Sequence, residues 1–315
     1  MKRAISALLL TLSASVALSQ VSQDVYNFLR LPVSAHAAAL GGDNITIIDD
    51  DASLMFHNPA LLSSVADKTI GLNYMNYMSG ANTASASYNR AVGDRATWAA
   101  SGQYINYGTM KEMDENNVQT GEFSAKDIAL TGYFSYMLTN KIAGGVAARF
   151  VTSYIGDYNS IAMAIDLGLN YYNSERGWSV SLLAKNLGGQ LKAYNDDFEN
   201  MPLDIQLGVS KRLMGTPLQF SATLVDLNHT DYKFINHWVM GAEVILSQTM
   251  WVGMGYNFRR ANEMKISSGD DNDSSHGAGL SFGGGINLDR FQLNIAYGKY
   301  HVSNSSLILN LAYKL

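Results

Sequence analysis

The sequence contains no cysteine and only four prolines in 315 residues. Without cysteine there is no disulfide scaffold, no thiolate zinc site and no cysteine nucleophile. Charged residues make up 16% of the chain, against roughly a quarter in ordinary soluble domains. No stretch approaches the roughly 20 consecutive apolar residues of a membrane helix, and the mean hydropathy is −0.04. The hydrophobic share of 47% is too high for a disordered chain. A net charge of −5 gives no basic surface for a nucleic-acid partner.

What is present begins with an export signal. Lys2 and Arg3 precede an apolar run from Ala4 to Leu18 centred on Leu8, Leu9 and Leu10. Ala17-Leu18-Ser19 is a small-x-small cleavage pattern, so residues 1–19 are expected to be a signal peptide and Gln20 the mature start. No cysteine follows to carry a lipid.

From about residue 68 the chain alternates with the period of a strand. Ile161, Met163, Ile165, Leu167, Leu169 and Tyr171 are interleaved with Ala162, Ala164, Asp166, Gly168 and Asn170. Fourteen such segments can be read, near 68–78, 82–92, 95–107, 124–138, 141–154, 159–173, 176–187, 202–213, 216–227, 236–246, 249–259, 278–288, 290–301 and 305–315. The non-apolar face is Gly, Ala, Ser and Asn with few charges. That suits a crowded barrel lumen better than a water-facing sheet, and it leaves the apolar face for lipid.

Connector lengths agree with that reading. Tight links, such as 92–95, 138–141, 173–176 and 246–249, alternate with mostly longer ones at 108–123, 188–201, 228–235 and 260–277. Outer-membrane barrels have short periplasmic turns and longer outer loops. The expected fold is therefore all-β: an antiparallel outer-membrane β-barrel of about fourteen strands over 68–315. Tyr74, Tyr77, Trp98, Tyr136, Trp178, Trp238 and Trp251 lie near strand ends, as interfacial girdles do.

Residues 20–67 do not alternate. Ser34 to Leu40 is an Ala-rich helix candidate stopped by Gly41-Gly42. Asp49-Asp50-Asp51 places an acidic cap before Ala52 to Phe56, and Asn58-Pro59 ends that turn. The segment reads as a plug, or hatch, inside the lumen; a periplasmic tail is the other reading.

No catalytic, cofactor-binding or metal-binding constellation is found. Histidines are scattered at 36, 57, 229, 237, 276 and 301, and Asp270-Asp271-Asn272-Asp273 lacks the Gly and Glu of a calcium loop. The expectation is a non-enzyme without a cofactor. Asp127, Arg149, Asp166, Lys185, Asp204, Glu243, Arg259 and Lys314 fall on the lumen face. They could line a polar path; a paired network that holds the plug is favoured, because buried charges must pair.

Tyr26-Asn27-Phe28-Leu29-Arg30-Leu31-Pro32-Val33-Ser34-Ala35, Ala38-Ala39-Leu40-Gly41-Gly42 and Asn58-Pro59-Ala60-Leu61-Leu62 resemble the start of the PorQ family. These are outer-membrane components of the type IX secretion system. Ala184-Lys185-Asn186-Leu187-Gly188 and Met201-Pro202-Leu203 resemble the wider group of PorV and FadL-type barrels. The resemblance implies a non-catalytic scaffold for protein transport and cell-surface attachment. Its implied partners are a PorZ-like surface protein, a PorU-like sortase and a PorV-like barrel, met through the long outer loops. The FadL-type alternative is a transporter of small hydrophobic molecules, which would need an apolar pocket near the plug and a gap in the wall. Gly144-Gly145 and Gly283-Gly284-Gly285 are the candidate kinks for such a gap.

Overall fold

The computed structural model describes residues 24–78, 80–116, 118–264, 277–301 and 304–315. The expected signal peptide and the Asp270–Asp273 run lie outside them. Among the described residues the chain forms fourteen antiparallel strands closed into a barrel, β1 pairing with β14. The first half is β1 (Thr69–Met78), β2 (Ala81–Val92), β3 (Ala96–Met113), β4 (Gln119–Thr139), β5 (Ile142–Ile155), β6 (Tyr158–Asn173) and β7 (Trp178–Lys192). The second half is β8 (Asp204–Arg212), β9 (Leu218–Leu224), β10 (Trp238–Ile245), β11 (Met250–Asn257), β12 (Leu280–Asn287), β13 (Phe291–Gly298) and β14 (Ser306–Lys314). Each strand pairs with its sequence neighbours, so the wall closes on itself with no edge strand. No helix among the described residues is long and apolar enough to cross a membrane.

The burial pattern is that of a protein inside out. Along β6, Ala162, Ala164, Asp166 and Asn170 are buried, while Met163 is 52% exposed and Leu167 47%. Leu130, Phe134, Leu182 and Met254 project outward in the same way from other strands. An apolar surface on every side of a closed wall is stable only against hydrocarbon, so the barrel spans a membrane.

Three strands exceed the sequence reading, among them β7, which runs to Lys192. β3 and β4 continue as a ribbon to Met113 and from Gln119, so most of 108–123 is strand. Their alternation is lost there because both faces of the ribbon meet water. β11 stops at Asn257, and Phe258–Glu263 forms a short helix capped by the Asn257 side chain. Arg259 therefore stands on a helix and not on a strand.

Residues 24–67 run through the barrel interior. Helix α1 (Ala35–Ala39) starts at Ser34, whose side chain accepts from the Ala37 N–H. It ends at Gly41 and Gly42, both at positive φ. α1 packs against β11 to β14, and the 3₁₀ turn Pro59–Ser64 packs against β3 to β6. Asn58 caps that turn with Pro59 at its first position, so Asn58-Pro59 starts a turn as well as ending one.

The proposed kinks are not kinks. Gly144, Gly145, Gly283 and Gly284 sit in continuous ladders. Gly145 is glycine because the hatch lies against it: a Cβ there would run into the Pro59–Ala60 backbone.

Candidate functional site

Strand direction sorts the lumen into two ends. Asp24 to Leu31 lie near the long connectors, and Asp49, Asp50 and Ala66 near the short turns. The hatch thus descends through the barrel and leaves into β1.

At the short-turn end, His36 of α1 is buried between two carboxylates. Its Nε2 lies 2.7 Å from Glu243 of β10, and its Nδ1 is 3.5 Å from Asp49 of the hatch. The second distance is too long for an ordinary hydrogen bond, so that attraction is chiefly electrostatic. The ring stacks on Trp251 with centroids 3.7 Å apart. Burial pushes the imidazole toward its neutral form, but Glu243 and Asp49 outweigh it and hold the proton to a pKa of about 10. Trp251 therefore points inward and is not part of an interfacial girdle; Tyr77 also packs inward, against the hatch. Beside this group a cavity of about 520 Å³ opens between the hatch and β6–β12, with Arg212, Gln219 and Thr249 on its walls. Lys314 pairs with Asp50 at 2.7 Å on the same level.

His57, also in the hatch, is a different case. Its Nε2 accepts from the Ser34 N–H at 3.3 Å, and burial pushes its pKa down to about 3. It stays neutral.

Midway up the wall, Arg149 of β5 donates to Asp166 of β6 at 2.8 Å and also to the Asn186 side chain. Asn186 sits where the register of β7 against β6 shifts. Its backbone is left-handed, with φ 60, which asparagine tolerates better than most residues. Its N–H donates to Asp166 at 2.7 Å, and its side-chain amide donates to the Pro202 carbonyl at 2.9 Å. Residues 185 and 186 bulge opposite Asp166, and pairing resumes at Leu187. A Cβ on Gly188 would meet the backbone of Met163 and Ala164.

Above this bulge the wall parts. β7 pairs with β8 only from Trp178 to Lys185, yet β7 runs on to Lys192. The two ends of the connector 193–203 turn into the lumen instead of closing the seam, while 195–200 stay exposed. Tyr194 bonds Ser153 of β5, the Asn200 carbonyl accepts from the Val25 N–H, and Met201 is buried with Tyr26, Phe28 and Leu29. A cavity of about 430 Å³ lies in the seam, between Leu187 and Gly188 on one side and Leu203 and Asn228 on the other. Met201 lines it, and behind Met201 stands an apolar cluster with Phe28, Leu29, Ile105 and Val151.

A third cavity, of about 230 Å³, adjoins at Asn186 and is walled by charge. Asp226 bridges Arg30 of the hatch, at 2.7 Å, and Arg259. Arg260 donates to the Ala278, Gly41 and Gly279 carbonyls, and its guanidinium lies 4.4 Å from the Tyr300 ring. Burial and the neighbouring Asp204 push Asp43 up to about 6.

The lumen charges named from sequence therefore form local groups. Arg149 joins Asp166, Glu243 joins His36, and Lys314 joins Asp50. Asp127 accepts from Tyr107 at 2.8 Å and from Ser153, while Asp204 accepts from the Asp226 N–H at 2.7 Å and from Gln206. Lys185 lines the third cavity. His36, Asn186, Asp226 and Arg260 were not singled out from sequence as members of these groups. The one signal was the Asn-Leu-Gly-Gly run at 186–189, which breaks the alternation of β7. Among the described residues no group of three or more His, Asp or Glu is placed to hold a metal ion.

Several solved structures share this architecture. A Pseudomonas aeruginosa FadL homologue matches with TM-score 0.55 and 10% identity over 90% of this chain and 98% of that one. The P. putida toluene transporter TodX matches with TM-score 0.57 and 13% identity over 89% and 97%. The CymD monoaromatic hydrocarbon channel matches with TM-score 0.55 and 13% identity over 90% and 96%. At such identities the likeness is one of fold: a FadL-like barrel. No protein-family model and no curated protein matches the sequence.

Proposed function

We propose that this chain is an outer-membrane channel that passes small apolar molecules sideways through its wall, at the β7–β8 seam. The parted seam above Lys185 carries the reading. A hatch tied to the wall by ion pairs blocks the straight path down the lumen. An apolar solute entering from the long-loop end meets the cluster behind Met201 and then the seam, where hydrocarbon offers it a lower free energy than water. The fold shared with hydrocarbon channels supports the same class of solute.

A second reading, the type IX secretion scaffold, is favoured by the N-terminal string alone. Its apolar residues, among them Tyr26, Phe28, Leu29, Ala35 and Ala38, are buried inside the barrel. They fix how the hatch packs and present nothing to a PorZ-like, PorU-like or PorV-like partner. Of the outer connectors that would meet such partners, 108–123 is mostly strand ribbon and 193–203 turns inward at both ends, leaving 195–200 exposed.

The test uses the natural absence of cysteine. A bulky maleimide on Leu203→Cys should block uptake of a monoaromatic solute. The same label on Leu130→Cys, which faces lipid on β4, should leave uptake unchanged. Equal uptake with Leu203→Cys labelled would remove the seam from the path.

A further inference from the structure

The two rims of the barrel carry opposite charge, and the basic one is built into the lipid-facing surface. Six short turns join the strands at one end, at 93–95, 140–141, 174–177, 213–217, 246–249 and 288–290. All but 246–249 carry or adjoin a lysine or arginine: Arg90, Arg95, Lys141, Arg176, Lys211, Arg212 and Arg290. The acids in the same turns are Asp94, Glu175 and Asp289. At the other rim Asp114, Glu115, Asp157, Asp196, Asp197 and Glu199 are exposed, with Lys111, Lys192 and Lys233 among them.

Two of the basic residues are placed by the wall itself. Arg90 opposes Trp98 across β2 and β3, and Lys211 opposes Trp178 across β8 and β7. Both tryptophans face outward, 40% and 41% exposed. The Lys211 ammonium stands 4.7 Å from the Trp178 ring and donates to the Arg176 carbonyl. Tyr136 and Tyr171 project outward on the same level. Outward tryptophan and tyrosine mark the depth of lipid headgroups. The cations beside them therefore sit at headgroup depth, where a phosphate reaches them without leaving the bilayer.

We infer that the short-turn rim is a binding surface for anionic phospholipid headgroups of the leaflet it crosses, with Arg90–Trp98 and Lys211–Trp178 as its two principal contacts. The aromatic face meets the glycerol and upper acyl region, and the cation meets the phosphate. The surface depends on the membrane-spanning fold and not on what the channel passes.

The experiment reconstitutes the full chain in nanodiscs of phosphatidylcholine alone or mixed with phosphatidylglycerol, and measures the lipids retained on the protein by mass spectrometry. Wild type should retain phosphatidylglycerol well above its share of the mixture. Arg90→Gln and Lys211→Gln should each cut that enrichment roughly fivefold, the effect of one cation at an anionic surface. Lys211→Arg should keep it, and Lys111→Gln at the opposite rim should leave it unchanged. A heat-dependent gel shift confirms that each variant is folded. Unchanged enrichment in folded Arg90→Gln and Lys211→Gln would overturn the inference. So would displacement of the lipid by inorganic phosphate, which would make the rim a site for the free ion.

Discussion

Asn186 of β7 donates its side-chain amide to the carbonyl of Pro202, 2.9 Å away. The residue that bends the wall thus also ties down the connector that leaves the wall open. Asn186→Gly keeps the left-handed backbone and the N–H bond to Asp166 but loses the tie to Pro202 and the bond from Arg149, so the barrel should fold with a mobile connector and altered uptake. Asn186→Val should cost more, about 1–3 kcal/mol from the backbone alone. Thermal unfolding with a seam-located spin label separates the two: Asn186→Gly should move the label more than the melting temperature.

His36 and Glu243 join hatch to wall. Removing His36 leaves Glu243 buried and uncompensated, a loss of about 3–5 kcal/mol; removing Glu243 costs less, because Asp49 stays beside His36. His36→Ala and Glu243→Ala should leave a barrel that still shifts on a gel when heated, but whose hatch is open to added protease. A hatch equally protected in both variants would contradict the pairing.

The hatch should also loosen at both ends of the pH scale. His36 holds its proton to about 10, above its ordinary 6.5. Its contribution is therefore complete below about 6.5 and is lost as pH rises through 10. His57 is neutral and shifted down to about 3. Its contribution is complete above 6.5 and is lost as pH falls toward 3. Because Trp251 stacks on His36, the difference in fluorescence between wild type and Trp251→Phe reads the alkaline step. His57→Phe should remove the acid step alone.

Gly145 and Gly144 offer a paired control on adjacent residues. Gly145→Val would strike the Pro59–Ala60 backbone, whereas a Cβ on Gly144 faces outward at an ordinary 3.4 Å from Leu138. Gly145→Val should displace the hatch and raise single-channel conductance in a planar bilayer. Gly144→Ala should not change it.

The wall was legible because one force writes it: hydrocarbon outside and crowding inside impose a strict period of two. All fourteen strands follow from it. Where that force ends, so does the signal. The ribbon beyond Asn106 is wet on both faces and reads as loop. Phe258 to Glu263 keeps apolar spacing through Phe258 and Ala261, but turns into a helix once Asn257 caps it. The hatch gave its turns, through Ser34, Gly41 and Asn58, and not its contacts. His36 and Glu243 are 207 residues apart, and no local pattern ties them. The glycine runs Gly144-Gly145 and Gly283-Gly284-Gly285 suggest a seam in β5 or β12, but Gly145 and Gly283 make room for the hatch; the seam lies at an asparagine in β7.

Orientation follows from the same geometry. Asp196→Cys, in the connector 193–203, should react with an impermeant thiol reagent on whole cells. Asp94→Cys, in the turn 93–95, should react only after the membrane is broken. The reverse pattern would invert the barrel.

The channel reading is tested most directly by uptake of a labelled monoaromatic hydrocarbon in cells lacking the gene, complemented with wild type or with the maleimide-blocked Leu203→Cys form. The account predicts that uptake falls in the deletion strain, returns with wild type and stays low with the blocked seam, while proteins attached to the cell surface are unaffected. Unchanged uptake together with release of surface proteins into the medium would contradict it and leave the scaffold reading in its place.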